Sequence, residues 1–394
     1  MSVSEDRLAK WRERRARRMR ELNWLRADTA EGRPAVWYVA DELLVRDDHY
    51  RLARKVLGEQ GHRATDVAEE ENAPSGIRRY RVAGLDVPRA ARTVRRRAEA
   101  AGDQRSAASP NHVFVSAPIE HGGPFGPPLP VAKPRGSLAT PAATANAVAV
   151  VDTGVWRDSP LPTGRYAAES DDFVSDVDVD NDGIIDGDVG HANFIAGVIL
   201  RRTANARVRI VRVLDTFGVC TEADLIAALG RVSGDRVINL SLGGFTLDDQ
   251  PPLALRDALH GLLDGKDRVV VAAAGNDGQH GPTFWPAAFA GTGEPWSGQV
   301  VAVAAHDGTD VCPWSNRGDW VTLAAPGADV TSTYIHHEAF HSGWAQWSGT
   351  SFATPYVVAA VAEELAATGS ALPALDNVRA VAAEHSYSGY PGLP

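Results

Sequence analysis

Short apolar runs alternate with amphipathic stretches along the first third of the chain. The segments "AVWYVADELLV", "IRRYRVAG" and "HVFVSAP" have the composition of strands, the first of them long enough for a pair. The segments "DHYRLARKVLGEQG" and "VPRAARTVRRRAEAAG" carry apolar residues at helical spacing, and the second has proline near its start. This order predicts a small α+β domain over residues 36–117.

The apolar runs after residue 140 are richer in β-branched residues and almost continuous. They are "AVAVVDTG", "VRIVRVL", "RVINLSLGG", "RVVVAAAGN" and "VVAVAA", with helical segments between them. Continuous apolar strands are typical of a parallel sheet that helices cover on both faces. We therefore predict an α/β domain over residues 141–394, with a mostly parallel sheet.

Two further segments lack the pattern of a core. Residues 118–140 are rich in Pro, Gly, Ala and Ser, which predicts a linker between the two domains. Residues 1–35 form a charged N-terminal region in which residues 5–26 are expected to be helical with few apolar anchors. We expect a solvated helix or arm here, and a nucleic-acid-binding arm is the less favoured alternative.

Composition adds a charge asymmetry to this division. Hydrophobic residues make up 44% of the chain and charged residues 23%, the balance of a globular protein. Residues 1–135 carry 26 Lys and Arg against 19 Asp and Glu, a net charge of +7, which leaves −17 for the remainder. Two such parts attract each other, although a basic segment could equally meet nucleic acid or an anionic surface.

Compartment and thiol chemistry follow from a few residues. Cys220 and Cys312 are too few to staple a fold of this size, and we expect both to be free thiols. The charged N-terminus lacks the apolar run of a secretory signal, and no stretch approaches the ~20 apolar residues of a membrane span. We expect a cytoplasmic protein with no membrane partner. Nonclassical export and a misassigned start codon are the alternatives.

Polar residues follow several of the predicted strands. Asp152, Ser241 and Asn276 each come at the end of an apolar run, and His191 begins the helical segment "GHANFIAGVIL". In an open parallel sheet, the loops after the strands converge on one edge, where binding and reactive groups collect. Taken singly, the aspartate reads equally as a turn residue and the histidine more readily as structural.

The segment "SGTSFATPYVVAA" presents a serine at a predicted helix start. Gly349 and Thr350 allow a tight turn before Ser351, and Pro355 suits the first turn of a helix because it needs no hydrogen-bond partner there. A helix N-terminus favours developing negative charge, which the tetrahedral intermediate of a serine nucleophile carries. Alone, the turn would read as a plain helix cap.

Five segments together resemble the subtilisin-like serine proteases, the subtilases. They are "VVDTGVW", "GHANFIAG", "INLSLGG", "AAAGND" and "SGTSFATPYV", in the order and spacing of that family, and "SNRGDWVTLAAPG" adds a sixth match. The resemblance covers residues from about 146 to 368. It implies the subtilisin-like form of the predicted α/β fold.

The resemblance also implies roles for individual residues. Ser351 would be the nucleophile, His191 the general base and acid, and Asp152 the carboxylate that orients the imidazole. Asn276 would donate its side-chain amide to the oxyanion, beside the Ser351 backbone N–H.

The same resemblance places a substrate-binding strand and a regulatory domain. Ser241, Leu242 and Gly243 would pair with an extended substrate, and Gly275 would leave room at the wall of the primary specificity pocket. Residues 36–118 resemble a propeptide that blocks the cleft, and residues 118–140 would thread past the active site. Cleavage there would release activity, so the N-terminal domain is an expected intramolecular partner.

The chain departs from the family pattern near two catalytic positions. The substituted positions are Ala192, Asn193 and Phe194 after the histidine, and Phe352, Thr354 and Tyr356 after the serine. None of them removes a catalytic group, so they bear on geometry and substrate range.

An acidic stretch, "DVDVDNDGIIDGD", precedes His191. Asp178, Asp180 and Asp182 with Gly183 match the first half of a calcium loop, but Val189 stands where the loop needs a glutamate. A structural calcium site and a plain acidic surface loop both fit this stretch. Catalysis itself is expected to need no cofactor.

The sequence therefore favours a serine endopeptidase that acts on peptide or protein substrates and is regulated by its N-terminal domain. One alternative with the same chemistry is a dedicated precursor-peptide maturation protease or transpeptidase. The alternative of another class is a catalytically silent protein that binds a partner or nucleic acid, although nucleic acid is an unlikely ligand in this interpretation.

Overall fold

A computed structural model describes residues 5–394, apart from positions 30, 64, 66, 73–75, 104–105, 117–125, 136–137, 139–141 and 143–144. Part of the predicted linker, namely residues 118–125, 136–137 and 139–140, therefore lies outside the described residues.

The N-terminal region folds into an antiparallel sheet with two of its three described α-helices packed on one face. Its elements are α1 (Glu5–Glu21), β1 (Leu25–Asp28), β2 (Val36–Arg46), α2 (Tyr50–Glu59), β3 (Val67–Asn72), β4 (Ile77–Val82), α3 (Val87–Ala100) and β5 (Ala108–Val115). The Asp86 side chain caps α3 by accepting from the Arg89 N–H at 3.1 Å, and Pro88 occupies its first turn. Leu43, Val45 and Val94 belong to the core that α2 and α3 form against this sheet.

The remaining elements build the larger unit. In chain order they are β6 (Leu129–Pro130), β7 (Asn146–Asp152), β8 (Tyr166–Ala167), α4 (His191–Arg202), β9 (Ala206–Arg212), β10 (Val219–Thr221), α5 (Glu222–Arg231), β11 (Val237–Leu240), α6 (Leu253–Leu263), β12 (Val269–Ala273), β13 (Val300–His306), β14 (Leu323–Pro326), β15 (Val330–Thr333), β16 (Trp344–Trp347), α7 (Thr350–Thr368), α8 (Ala371–Ala382), β17 (Ser386–Tyr387) and β18 (Tyr390–Pro391).

A parallel sheet runs through the centre of this unit in the order β14–β13–β12–β11–β7–β9–β8. The inner strands β11, β12 and β13 are buried at every position because both faces of the sheet are covered, whereas β9 carries three arginines. In β7, Val148 and Val150 face the core built by α4, α7 and α8, whereas Ala149 and Val151 face the core built by α5 and α6. The alternation follows the two-residue period of a strand.

The two units share a sheet. Strand β10 of the larger unit pairs antiparallel with β5, so the N-terminal sheet runs β10–β5–β2–β4–β3, with β1 pairing to β2. Because β5 is buried along its whole length, it belongs to the interior of the joined molecule. No described helix combines the length and apolarity that crossing a bilayer requires.

Candidate active site

The carboxyl edge of the parallel sheet gathers the residues that the sequence singled out. Asp152 ends β7, Ser241 follows β11 and Asn276 follows β12, and these three strands are neighbours in the sheet. His191 is the first residue of α4, and Ser351 is the second residue of α7. All five side chains are buried.

Asp152 holds the His191 imidazole. The distances from Nδ1 to the two carboxylate oxygens are 2.8 and 3.0 Å. A carboxylate only accepts, so Nδ1 carries the proton and donates it, which leaves Nε2 as the proton-accepting atom of a neutral ring. The Thr153 backbone N–H donates to the same carboxylate at 2.7 Å.

An aromatic wall surrounds the imidazole. The Phe352 ring lies 5.3 Å from the His191 ring, and Trp347 meets it edge-on at 5.6 Å. Phe194 packs against Phe352 at 4.5 Å, so two of the departures from the family pattern contact each other. Gly190 precedes the histidine at φ 79°, and a Cβ there would lie 2.6 Å from the Tyr334 ring, so only glycine fits this entry into α4.

A second departure fixes the loop after Asp152. Asn193 accepts from the Trp156 N–H and donates to the Trp156 carbonyl, both at 2.9 Å. Tyr356 lies on the outer side of α7, where the Arg202 guanidinium stacks 4.2 Å from its ring centroid. These substitutions are thus accommodated by packing and leave the Asp152–His191 pair intact.

Ser351 presents its hydroxyl to main-chain carbonyls. Its Oγ lies 3.1 Å from the carbonyl oxygen of Ser116 and 3.2 Å from that of Ser241. Among the contacts of the described residues, these carbonyls take the hydroxyl proton rather than the imidazole. The Ser351 N–H is in the first turn of α7, where backbone donors have no intrahelical acceptor.

Pro355 lies inside α7 and not in its first turn, which corrects the expectation from the sequence. Proline cannot donate to the carbonyl four residues earlier, and that carbonyl belongs to Ser351. The Ser241 hydroxyl donates to it instead, at 2.8 Å. The predicted substrate-binding strand thereby braces the helix that carries Ser351.

Asn276 has a fixed amide orientation. Its Oδ1 accepts from the backbone N–H of Thr350 at 2.8 Å and from the Thr350 hydroxyl at 2.9 Å. The Nδ2 atom consequently points away from Thr350, and a Cβ on Gly349 would lie 3.6 Å from it. The amide and the Ser351 N–H are thus two donors at the start of α7, and an oxyanion site is composed of such donors.

Thr350 carries no sequence signal beyond its place in the motif, yet it links two predicted site residues. Its hydroxyl also accepts from the Gly275 N–H at 3.1 Å. A Cβ on Gly275 would collide with the Asn316 amide at 2.3 Å. Thus Gly275 lies at a tightly packed wall beside the Asn276 side chain.

Strand β5 occupies the groove beside Ser351. Val115 exchanges two backbone hydrogen bonds with Gly243, at 2.8 and 2.9 Å. The Ser116 N–H donates to the Gly218 carbonyl at 2.9 Å, continuing the pairing of β5 with β10. Gly243 therefore lies along one side of β5, close to Ser241, which contacts Ser351, and residues 218–221 line the other side. The sequence predicted a substrate-binding role for residues 241–243 and gave no signal for the second side.

Buried polar contacts hold β5 against α5 and α6. His112 lies 3.1 Å from the Glu222 carboxylate through Nδ1, and its Nε2 accepts from the Leu247 N–H at 3.2 Å. The other Glu222 oxygen accepts from the Ala254 and Leu255 N–H groups at the start of α6. Each polar atom named here has a partner, which a buried interface requires.

Ion pairs between the two units match the charge asymmetry. Arg46 of β2 grips Asp257 of α6 with two hydrogen bonds, of 2.6 and 3.0 Å. Arg92 and Arg95 of α3 both reach Asp248 at 2.9 Å. The Arg46 pair is bidentate, the strongest arrangement for a guanidinium and a carboxylate.

Residues 176–188, named the acidic loop below, lead directly into His191. The carboxylates of Asp178, Asp180 and Asp186 have oxygens within 4.8 Å of one another and could hold a cation. Asp182, which the sequence pattern had included, pairs with Arg17 of α1 at 3.0 Å. Burial, reinforced by the charges of Asp180 and Asp178 against opposing hydrogen bonds, raises the pKa of Asp186 to about 6.

Both cysteines are free and buried. Burial raises the pKa of the Cys220 thiol well above its ordinary value and that of Cys312 to about 12. Cys220 is the central residue of β10, paired with Phe114 of β5. Neither thiol has the lowered pKa of a reactive cysteine.

Comparisons with known proteins match the larger unit. The family model described as "Subtilase family" matches residues 143–383. The chain is 36% identical over 234 residues to "Thermophilic serine proteinase" of Bacillus sp. (strain AK1), covering 56% of this chain and 52% of that protein. It is 35% identical over 246 residues to "Thermitase" of Thermoactinomyces vulgaris, covering 59% of this chain and 78% of that one.

A solved structure is similar over much of the chain. The crystal structure of a cold adapted subtilisin-like serine proteinase superposes with a TM-score of 0.50 and 25% sequence identity. The match covers 67% of this chain and 91% of the other. By contrast, the chain spans about half the length of the Bacillus relative that it matches.

Proposed function

Because the chain belongs to the subtilase family, whose members are serine peptidases, we propose that it is a serine endopeptidase that hydrolyses peptide bonds through an acyl-enzyme. The 2.8 Å contact between His191 and Asp152, beside a serine at a helix N-terminus, supports this reaction. Peptide or protein chains are the proposed substrates.

The reaction would begin with proton transfer from Ser351 to His191. The Ser351 hydroxyl must first turn from the carbonyls toward Nε2, by rotation about its Cα–Cβ bond. Nε2 then accepts the proton while Oγ forms a bond to the carbonyl carbon of the substrate. Asp152 keeps the Nδ1 proton in place and stabilises the imidazolium, so the ring cannot turn to an unproductive tautomer.

The tetrahedral intermediate would place its oxyanion between two donors. These are the Nδ2 of Asn276, held in orientation by Thr350, and the backbone N–H of Ser351. The intermediate collapses when the C–N bond breaks and His191 gives its proton to the leaving amine. Water then attacks the acyl-enzyme with His191 again as base, and the carboxylic acid product and the free Ser351 hydroxyl result.

The N-terminal region would inhibit this site by occupying it as a substrate does. Strand β5 takes both sides of the cleft through Val115 and Ser116, which is the pairing an extended substrate would use. Its bulk also excludes other peptides from Ser351. The single observation that carries this proposal is the 3.1 Å approach of the Ser116 carbonyl oxygen to the Ser351 hydroxyl.

Cleavage between Ser116 and Gly126 would separate the inhibitor from the enzyme. Ser116 lies at Ser351, whereas Gly126 accepts a 3.0 Å hydrogen bond from Trp347, the residue that packs edge-on against His191. The two ends of the intervening segment thus flank the proposed catalytic residues. Mass spectrometry of the purified protein is expected to show a new N-terminus within residues 117–126, absent from Ser351→Ala.

An active-site-directed fluorophosphonate tests the proposed chemistry. After removal of the N-terminal region, the probe should label the protein, and Ser351→Ala should abolish the labelling. Ser348→Ala is the matched control, because this buried serine lies on the same turn and should leave labelling intact. Labelling that persists in Ser351→Ala would assign the reactivity to another residue, and no labelling of either form would support a catalytically silent fold.

Structural calcium is a separate proposal for the acidic loop. The carboxylates of Asp178, Asp180 and Asp186 are hard oxygen donors close enough to share one divalent cation. The cation would stabilise the loop that leads into His191 without entering the chemistry.

A further inference from the structure

We propose that the acidic loop and the adjoining turn at Phe217 form a docking surface for an arginine-bearing amphipathic helix, and that α1 in this position clamps β5 into the cleft. The inference rests on the proposed inhibitory role of β5. It gives α1 a task that neither its sequence nor the family resemblance assigns. Three separate contacts support it.

The first contact is electrostatic. The Arg17 guanidinium lies 3.0 Å from the Asp182 carboxylate and 3.3 Å from that of Asp180, and Arg14 adds a 3.6 Å pair with Asp182. These acidic residues belong to a loop more than 160 positions away in the chain. A helix with several arginines therefore meets a loop with several aspartates, which favours one orientation of docking.

The second contact lies beside the cleft strand. The Arg18 guanidinium carbon stands 4.8 Å from the centroid of the Phe217 ring. Phe217 directly precedes Gly218, whose carbonyl receives the Ser116 N–H. The contact of the Arg18 guanidinium with the Phe217 ring thus stabilises the turn whose next residue, Gly218, pairs with β5.

The third contact is apolar and reaches β5 itself. Met19 is 5% exposed and belongs to a buried cluster with Val113, Val115 and Val219. Val113 and Val115 are the side chains of β5 that face away from the catalytic core, whereas Phe114 between them faces into it. Strand β5 is therefore covered by α1, and the contact of this cluster with Val219 ties both of them to β10 of the larger unit.

The docking surface continues into the catalytic helix. The Asp188 N–H donates to the Thr216 carbonyl at 3.0 Å, and the His191 N–H donates to the Asp188 carbonyl at 3.1 Å. The turn at Phe217, the acidic loop and the start of α4 are thus one connected structure. Docking of α1 should therefore stabilise both β5 and the acidic loop that leads into His191.

This arrangement gives the release of β5 a defined order. The contacts of α1 with the acidic loop and Phe217 must break before β5 can leave, and ionic strength or a cation that competes for the acidic loop should promote this step because the arginine pairs are partly exposed. The contact of the Met19 cluster with Val219 is then lost as β5 separates from β10.

Hydrogen–deuterium exchange on the full chain carrying Ser351→Ala tests the clamp without any catalysis. Arg17→Gln is compared with Arg20→Gln, which removes the same charge from an exposed position of the same helix. We expect Arg17→Gln to speed exchange in residues 108–116 and 176–188 by roughly two- to fivefold, the effect of a partly exposed ion-pair network. Arg20→Gln should leave both segments unchanged.

Salt and a second variant complete the test. Raising the salt from about 0.05 M to about 0.5 M should speed the same exchange in the parent but much less in Arg17→Gln. Met19→Ala should speed exchange of residues 108–116 by about tenfold or more, with unchanged protection of β12 and β13 as evidence that the fold is intact. If Met19→Ala fails to fold, the Arg17→Gln comparison decides alone.

The outcomes separate the clamp from the proposed function. If residues 108–116 and 176–188 exchange at the same rate in Arg17→Gln and Arg20→Gln, with the same dependence on salt, the clamp is overturned. This conclusion does not depend on whether the protein has peptidase activity. Absence of peptide hydrolysis by the protein that retains Ser351 and has lost residues 1–116 overturns the proposed function. The exchange results remain valid in that case, because they need no turnover.

Discussion

The hydroxyl of Ser351 lies 3.1 Å from the carbonyl oxygen of Ser116, a residue 235 positions earlier in the chain. This contact joins the two units at the atom that would carry out catalysis. The Ser116 peptide is held from both sides, through the Gly218 carbonyl and through the pairing of its neighbour Val115 with Gly243. The chain is therefore arranged with its own backbone as the first occupant of the cleft.

Loss of the Asn276 donor should slow the chemical step. Asn276→Asp keeps an oxygen for the Thr350 N–H but replaces the Nδ2 donor with an acceptor. We expect kcat of the released catalytic domain to fall by about 10²- to 10³-fold with little change in KM, because the oxyanion forms only after binding. Steady-state kinetics on a peptide substrate give both constants, and a kcat within about threefold of the parent contradicts the oxyanion role.

Truncation of Phe114 should weaken inhibition. Phe114 is fully buried in the catalytic core and projects from the strand that fills the cleft. Residues 1–117, made separately, are expected to slow peptide hydrolysis by the released catalytic domain. Phe114→Ala in this fragment should raise the inhibition constant by about 30-fold or more, as loss of a buried aromatic anchor does.

An exposed position provides the control for that experiment. Arg96 lies on the exposed side of α3. The fragment that carries Arg96→Ala should therefore inhibit the catalytic domain as well as the parent fragment does. If the parent fragment leaves turnover unaffected, the inhibitory role of the N-terminal region is lost. Equal inhibition by all three fragments would instead show that the Phe114 side chain does not anchor β5.

A methyl group at Gly243 should destabilise the joined molecule. A Cβ at this position would lie 2.2 Å from the Phe284 ring and 2.6 Å from the Trp285 carbonyl oxygen. We expect Gly243→Ala to lower the free energy of unfolding of the Ser351→Ala chain by about 1–3 kcal/mol. Gly230→Ala in α5, where a Cβ meets no atom within 4 Å, should raise it by about 0.4–1 kcal/mol. Chemical denaturation followed by fluorescence measures both, and equal effects would contradict the close packing at Gly243.

Asp186 should make stability fall as the pH rises from about 4 to 6. Its pKa is raised from 3.8 to about 6, mainly by burial, so the folded chain binds more protons than the unfolded chain across this window. The free energy of unfolding should fall by up to about 3 kcal/mol, because the pKa of Asp186 is raised by about two. Chemical denaturation at several pH values in this range gives the free energy of unfolding. This free energy should decline less with pH in Asp186→Asn than in the parent. An unchanged pH dependence would exclude Asp186 as the source.

Chelation should lower the Tm of the released catalytic domain if the acidic loop holds calcium. Asp178→Asn is expected to lower the Tm in the absence of chelator and to remove most of the chelator effect. In the full chain the effect should be smaller, because Arg17 already pairs with Asp180 and Asp182. No Tm shift, together with no metal in the purified domain, would exclude a calcium role.

The parallel sheet, and the position of Asp152, Ser241 and Asn276 after neighbouring strands, were predictable from local sequence. In β7 the four residues before Asp152 are all apolar and buried, because both faces of the sheet are covered there, so the run stands out in the sequence. The motif resemblance then indicated His191, Ser351 and Asn276. The predicted subtilase family and α/β fold class are confirmed by the family model and the solved structure.

Contacts between distant segments were not predictable in the same way. Pro355 was assigned to the first turn of a helix because proline is tolerated there. Its actual position inside α7 depends on Ser241, a hydroxyl 110 residues away that takes up the freed carbonyl. Strand β3 escaped prediction because three of the six residues of "VAEEEN" are charged and the strand is held in place by pairing with β4. The second wall of the cleft, β10, is only three residues long and gives no periodic signal.

The pairing of β5 with β10 implies that the two units should not rejoin once they have separated. When the strands part, each leaves a row of backbone donors and acceptors facing water, and these bare edges attract any other extended chain. On the larger unit, the exposed edge of β10 can then pair with an extended substrate chain. Under the inhibitory role proposed above, the released fragment presents the unpaired edge of β5, a strand that fits the vacated groove, so the enzyme should digest it.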